Sequence, residues 1–205
     1  MNLTQAKQIT GGLTETSKMP CLSFSLSPKQ CHNGKELAKI PGSICAKCYA
    51  KKGYYVYCKK TVEPAWNCRK ESLYNKDWVD AIAYLIEKKS PEYFRWHDAG
   101  DLQSWQHLQN IVDVAKRLPK TRFRIPTKEY QLIRDYTAVN EVPVNLVIRA
   151  SSYMIGQPPL LGFKNTATVD SGIGFICTAL KTDGKCGKCR VCWNGKVENV
   201  DYHLH

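Results

Sequence analysis

The stretch VNLVIRAS, residues 144–151, decides the fold class because its centre is almost entirely apolar. A strand with one solvent-exposed face alternates apolar and polar residues. A strand that is buried on both faces, as in a parallel sheet, is instead a continuous apolar run. Residues 144–151 therefore predict a strand of a parallel sheet. Parallel strands are joined by long crossovers that are usually helical, so we expect helices between this strand and its neighbours.

The segments around this strand alternate between helix and strand patterns. KDWVDAIAYLIEKK (76–89) predicts a helix, because Trp78, Ile82 and Leu85 share one face. The pattern indicates an α/β fold, which we expect to be a partial (β/α) barrel of about six mostly parallel strands, with a doubly wound sheet as the alternative. The strand segments are CLSFSLS (21–27), EYFRWHD (92–98), TRFRIPT (121–127), VNLVIRAS (144–151), TATVDS (166–171) and GFICTA (174–179).

The length of 205 residues fits a single domain, 1–205. We expect an α/β core at 21–174, which carries a cysteine-rich N-terminal loop at 28–58, and a C-terminal metal-binding extension at 175–205. The first ten residues lack the apolar core of a secretory signal, and the longest apolar runs are too short to span a bilayer. We therefore expect a cytoplasmic protein with no membrane partner and with reduced thiols.

The ten cysteines are confined to the two ends of the chain, and none falls between residues 69 and 176. Cysteines used only as small core residues would be scattered, so this distribution favours two metal-liganding regions. Ten cysteines in 205 residues also fall below the density of a disulfide scaffold. Metal binding or catalysis is therefore the better interpretation of these thiols.

The C-terminal region carries Cys186, Cys189 and Cys192 in the spacing CxxCxxC, and Cys177 lies nine residues earlier. Structural zinc sites usually take their ligands from two separated pairs. Three cysteines at this spacing are instead typical of bacterial ferredoxins. The region therefore predicts a [4Fe–4S] cluster, with zinc as the alternative.

The N-terminal region is less regular, and Cys45 and Cys48 form a CxxC pair that Cys31 could complete. Three thiolates would leave one iron open to a substrate or cofactor, and a fourth would close the site. The candidates for a fourth ligand are Cys21, Cys58 and Cys68. For the one or two clusters, the predicted metal ligands are Cys31, Cys45, Cys48, Cys177, Cys186, Cys189 and Cys192.

Polar residues crowd a predicted strand-to-helix turn in FRWHDAGDLQSW (94–105). Functional groups of (β/α) folds gather at the carboxyl ends of the strands, so this turn predicts a cofactor pocket. The alternative is structural: Asp101 caps the next helix and His97 packs within the strand. The predicted cofactor-binding residues, two of them near other strand ends, are His97, Asp98, Gly100, Asp101, Lys128 and Arg149.

The net charge of +12 is concentrated where the cysteines lie. Residues 29–60 contain eight lysines and one acid, and residues 181–196 contain five basic residues and one acid. These cations could offset thiolates and a cluster, could contact nucleic acid, or could be solvated surface groups. The tyrosines of YYVY (54–57) could stack on bases, with core packing as the alternative.

Two resemblances follow from these motifs. SKMPCLSFSLSP (17–28), CYAKKGYY (48–55), FRWHDAGDLQS (94–104), PTKEY (126–130) and the final CxxCxxCW (186–193) resemble the phage gene product 88 family. More distantly, the layout resembles radical S-adenosylmethionine (SAM) enzymes, in which a cysteine loop follows the first strand of a partial barrel.

The second resemblance implies that DAGD (98–101) holds the methionine end of SAM and that the C-terminal run binds an auxiliary cluster. The chain departs from the CxxxCxxC motif of those enzymes, because thirteen residues separate Cys31 from Cys45. The resemblance therefore supports a cluster on a similar scaffold and leaves SAM cleavage open.

The leading hypothesis is an iron–sulfur protein of radical-SAM-like architecture, a phage-encoded enzyme of the host cytoplasm with an unknown substrate. SAM would be a second cofactor, and a reductant such as ferredoxin or flavodoxin would be a partner. One alternative is a zinc-stabilised module that binds nucleic acid through its basic surface. The other is a cluster protein for electron transfer or redox sensing, without SAM chemistry.

Overall fold

A seven-stranded parallel sheet organises the computed structural model, which describes residues 1–204. The strand order is β1-β2-β3-β4-β5-β7-β6, and each neighbouring pair is parallel. The α/β class with a parallel sheet is confirmed, while the sheet remains open in the described residues and closure into a barrel stays a prediction. The strands are β1 (Ser23–Phe24), β2 (Tyr93–Trp96), β3 (Arg122–Thr127), β4 (Leu146–Ser151), β5 (Thr166–Val169), β6 (Phe175–Ile176) and β7 (Asn199–Tyr202).

Within residues 1–204, seven α-helices and five short 3-10 turns accompany the strands. The helices are α1 (Leu3–Thr10), α2 (His32–Leu37), α3 (Tyr54–Tyr57), α4 (Lys59–Ser72), α5 (Trp78–Lys89), α6 (Trp105–Arg117) and α7 (Tyr130–Val139). The 3-10 turns span Pro28–Gln30, Ile44–Lys47, Tyr49–Lys51, Thr178–Thr182 and Val191–Trp193. None of the helices built from residues 1–204 combines the length and the apolarity that crossing a membrane requires.

The two faces of the sheet differ in polarity, and this difference positions the functional groups. Phe94 and Trp96 of β2 face the apolar core, together with Phe123 and Ile125 of β3 and the buried sides of α5 and α6. Successive side chains of a strand point to opposite faces. Alternation therefore sends Arg95, Arg124 and Arg149 of β2, β3 and β4 to the other face, and the C-terminal segment covers it.

Both cysteine-bearing segments are fastened to the sheet. The N-terminal segment at 28–58 contains α2, α3 and short 3-10 turns, and Ile44 N–H donates to the Tyr153 carbonyl (2.9 Å) just beyond β4. The C-terminal extension at 175–205 supplies β6 and β7 to the same sheet. Trp193 Nε1 donates to the Phe94 carbonyl of β2 (2.9 Å), so this extension folds back across the sheet.

Candidate metal centres

Cys31, Cys45 and Cys48, the first thiol group, lie on short elements near the carboxyl ends of the strands. Cys31 precedes α2, and Cys45 lies in the 3-10 turn that Cys48 follows. A Cβ atom at Gly34 would lie 3.6 Å from Cys31 Sγ and 3.5 Å from Cys45 Sγ. The two sulfurs therefore flank one space, which a side chain at position 34 would fill.

Two charged residues accompany the first thiol group. Burial raises the pKa of Cys31, the negative charges of Asp101, Cys48 and Cys45 raise it further, and Lys128 lowers it. Burial likewise raises the pKa of Cys45, and Lys128 opposes that rise. Asp101 and Lys128 are therefore close enough for their charges to act on these sulfurs, while the pocket itself stays a prediction. Metal ligation would require these thiols to lose their protons.

Asp101 ties together the segments that follow β2 and β3. Its Oδ1 accepts the Leu102 N–H (2.8 Å) and its Oδ2 accepts the Lys128 N–H (2.9 Å). Ser104, and not Asp101, caps α6 by accepting the His107 N–H (3.1 Å). The carboxylate of Asp101 therefore fixes the backbone that carries Lys128 toward the thiols.

The other residues of the DAGD turn have local partners. Asp98 accepts hydrogen bonds from Ser23 Oγ and from Tyr55 OH, the latter at 2.9 Å. Gly100 has a φ of 84°, and a Cβ there would lie 2.6 Å from the Leu26 Cβ. The close approach predicted at Gly100 is thus made by Leu26, in the segment that follows β1.

His97 lies away from the thiols, in the core. Its φ of 56° is left-handed, and its buried ring lies 5.2 Å from that of His107 on α6. Neither ring nitrogen of His97 has a hydrogen-bond partner in the described part of the chain. The structure therefore separates His97 from Asp101 and Lys128, with which the sequence grouped it.

Two tyrosines that the sequence analysis did not single out border the first thiol group. The rings of Tyr130 and Tyr153 are stacked with centroids 4.5 Å apart. Burial raises the pKa of both phenols, and the charges of Cys45 and Asp101 contribute to both shifts. The motif PTKEY (126–130), which contains Tyr130, was the sequence feature that could have identified this tyrosine. No motif pointed to Tyr153.

The C-terminal cysteines lie near one another in the fold, while their role as metal ligands stays a prediction. Burial raises the pKa of Cys186, and the charges of Cys192, Cys177 and Cys189 raise it further. Cys186 N–H donates to the Lys18 carbonyl (2.9 Å), which brings the segment before β1 alongside. These four cysteines and Cys21 constitute the second thiol group.

Cys21 belongs to this group by its contacts. It packs in one buried cluster with Cys192 and Trp193. Burial raises its pKa to about 11, Arg124 and Arg95 lower it, and the charge of Cys186 raises it. The remaining two cysteines lie apart: the Cys58 N–H donates to the Tyr54 carbonyl (2.8 Å), and Cys68 is exposed on α4.

Arg124 is a buried cation beside the second thiol group. Its Nη1 donates to Tyr202 OH (2.8 Å), its guanidinium lies 4.6 Å from the Trp193 ring centre, and its Nε has no partner within residues 1–204. Burial lowers its pKa, but the charges of Tyr202, Cys192, Cys186 and Cys21 together raise it. A buried cation needs a compensating anion. Thiolates that ligate a metal cluster would supply that anion, so these residues fit such a group.

Arg149 lies beneath the second thiol group and not in the pocket with Asp101 and Lys128. Its Nε donates to the Cys192 carbonyl (3.1 Å), and its Nη atoms donate to the carbonyls of Val197 and Asn194 (3.0 Å each) and of Thr166 (3.2 Å). The Arg149 guanidinium therefore donates its hydrogen bonds to backbone carbonyls. Arg149 therefore fastens the C-terminal segment to β4.

The thiol groups are not closed around a single ion. Across residues 1–204, no group of three or more His, Cys, Asp or Glu side chains has the spacing that would hold one metal ion. A zinc–sulfur bond is about 2.3 Å long, so the sulfurs of a tetrahedral zinc site lie about 4 Å apart. A bound group would have to accommodate sulfurs that are further apart, or the loops would have to close.

One family model, described as gene product 88, matches residues 1–170. The matched part includes the first thiol group, Asp101 and Lys128, and it ends before Cys177. No curated protein and no solved structure matches the chain.

Proposed function

The chain belongs to the gene product 88 family, and we propose that it is an iron–sulfur protein with one cluster at each thiol group. The observation that carries this proposal is the sorting of the cysteines into two groups, each beside a cation. Lys128 lies by Cys31 and Cys45, and Arg124 lies by the cysteines of the C-terminal run. Such cations offset the charge of thiolates and favour their formation.

The proposed ligands of the two clusters differ in number. The first cluster would be held by Cys31, Cys45 and Cys48, which leaves one iron without a protein ligand. The second would be held by the C-terminal cysteines, and Cys21 is a further thiol within reach. Its proposed ligands are Cys177, Cys186, Cys189 and Cys192.

We further propose that the open position of the first site takes SAM. Lys128 supplies a cation for the SAM carboxylate, and Asp101 fixes the Lys128 backbone. The stacked Tyr130 and Tyr153 border this site. When bound, a reduced cluster supplies single-electron chemistry. A radical-SAM-like enzyme is therefore the finer form of this proposal.

Metal analysis tests the two-site assignment. Anaerobically purified protein should contain about eight irons and eight sulfides per chain if both clusters are [4Fe–4S]. Cys31→Ser with Cys45→Ser should remove about half of both, and Cys186→Ser with Cys189→Ser should remove the other half. The exposed Cys68 on α4 provides the control, because Cys68→Ser should leave both contents unchanged. Stoichiometric zinc without sulfide would contradict the proposal.

The same preparations test the SAM assignment. SAM added to the reduced protein should change the EPR signal of the first cluster, and the change should be absent when Cys31 and Cys45 are serine. The C-terminal serine variant should still respond. A protein with full iron that ignores SAM would leave an electron carrier as the function.

Gly34→Ala should block the first site without unfolding the protein. The added Cβ would lie 2.9 Å from the Cys31 Cβ and 3.5–3.6 Å from the sulfurs of Cys45 and Cys31. Alanine is otherwise favourable in α2, by about 1 kcal/mol over glycine. We expect loss of about half of the iron in a protein that still unfolds cooperatively in urea. Gly195→Ala is the matched control, because a Cβ there would lie an ordinary 3.6 Å from Val147; equal iron in the two variants would contradict the geometry.

A further inference from the structure

We propose that residues 47–60 form a binding surface for single-stranded nucleic acid. The surface consists of two outward tyrosines, Tyr54 and Tyr57, and the exposed lysines around them, Lys51, Lys52 and Lys60. None of these five side chains is a proposed ligand of either thiol group. Binding at this surface would require no metal cluster, so its test is independent of the proposed function.

The tyrosines of YYVY (54–57) divide into one anchor and two exposed rings. Tyr55 stacks on Trp66 with ring centres 5.6 Å apart and donates to Asp98 (2.9 Å), so it fastens α3 to the body of the protein. Tyr54 and Tyr57 are 69% and 88% exposed. They are three residues apart on a helix and therefore lie on the same side. Core packing thus accounts for Tyr55 and leaves two rings facing solvent.

The segment that carries these rings, residues 37–62, has charged residues of a single sign. No acidic residue occurs between Glu36 and Glu63 in the sequence. The Glu63 carboxylate forms ion pairs with Lys29 Nζ (2.8 Å) and with Lys59 Nζ (3.8 Å). Lys51, Lys52 and Lys60, the lysines of the surface, make no ion pair within residues 1–204. An anionic partner would therefore meet free cations and no competing carboxylate among residues 37–62.

Aromatic rings among cations fit unpaired bases better than other anionic partners. Each exposed base face can stack on a tyrosine while lysines contact the phosphates. In a duplex, the bases are already stacked on one another and offer no free face. A membrane surface would require a longer amphipathic helix with aliphatic side chains, and α3 has four residues. The rings and charges together therefore favour single strands.

The surface adjoins the first thiol group along the chain. Lys51 N–H donates to the Cys48 carbonyl (3.1 Å), and the Tyr49 ring lies 6.0 Å from that of Tyr55. A strand held by Tyr54 and Tyr57 would thus lie beside the pocket of Asp101 and Lys128.

Fluorescence anisotropy with labelled oligothymidine and oligouridine of about 15 nucleotides, and with a duplex of equal length, tests the proposal. Single strands should bind more tightly than the duplex. Tyr54→Ser with Tyr57→Ser should weaken binding about thirtyfold or more, since each of the two lost stacks removes about 1–3 kcal/mol. Lys51→Gln with Lys52→Gln should reduce the slope of log affinity against log salt by about 1.4.

Two controls match these variants. Tyr74 is 84% exposed at the end of α4, and Tyr74→Ser should leave binding unchanged. Lys88→Gln with Lys89→Gln removes two exposed lysines at the end of α5 and should leave most affinity intact. Binding of either DNA or RNA with these dependences supports the surface. No binding at low salt, equal losses in the control variants, or binding only to phosphatidylserine vesicles would each overturn it.

Discussion

Arg149→Met should lower the free energy of unfolding by about 5 kcal/mol and release the C-terminal segment from the sheet. The buried guanidinium donates to the carbonyls of Cys192, Asn194 and Val197, and methionine fills part of its volume without donating. Each buried carbonyl left without a partner costs about 1–3 kcal/mol, so three or more losses reach that total. Urea unfolding of the anaerobic protein measures the change.

The local effect of Arg149→Met distinguishes it from general damage. Residues 191–198 should become sensitive to protease, and the iron of the second site should be lost while the first site keeps its iron. Arg149→Lys should fall between methionine and wild type, because one ammonium can satisfy fewer carbonyls. Arg122→Met is the control, since Arg122 is exposed on β3. Unchanged stability and iron in Arg149→Met would show that other contacts hold the segment.

The sequence predicted the strands and helices whose buried faces consist of apolar residues. The strand at 146–151 and the helix at 78–89 follow from apolar runs and helical spacing. β7 escaped prediction because two of its four residues are Asn199 and Asp201, both buried. Asn199 Oδ1 accepts from Thr166 Oγ1 (2.8 Å) and Asp201 Oδ1 accepts from Thr168 Oγ1 (2.7 Å). Such polar pairing between strands leaves no signal in a hydrophobic pattern.

The candidate site was predictable where ligands are close in sequence or lie at strand ends. Cysteine spacing and the ends of β2 and β3 predicted which residues lie near one another in the two thiol groups, and their roles as ligands stay predictions. The sequence could not show that Arg149 is occupied by carbonyls of a segment more than 40 residues later. It also could not show the left-handed backbone of His97, which redirects that side chain to the core.

Acidification should destabilise the protein by about 4 kcal/mol between pH 7 and pH 5 through two buried histidines. Burial lowers the pKa of His97 well below 6.5, with His107 and Arg95 adding to the shift, and burial lowers the pKa of His107 to about 3. The imidazoles therefore stay neutral in the folded state. The unfolded chain binds protons below pH 6.5, so stability is lost as the pH falls, by about 1.4 kcal/mol per unit for each histidine.

His107→Leu should halve this loss, to about 2 kcal/mol between pH 7 and pH 5, because it removes one of the two titrations. The His107 ring contacts His97 and the edge of Trp78, so leucine keeps an apolar contact in that position. Burial raises the pKa of Asp101, so its protonation opposes the loss of stability as the pH falls. Acid also releases metal from thiolates. Both effects are common to the wild type and the variant, so the difference between their urea midpoints from pH 7 to pH 5 isolates the histidine. Equal slopes in wild type and His107→Leu would show that the pair titrates normally in the fold.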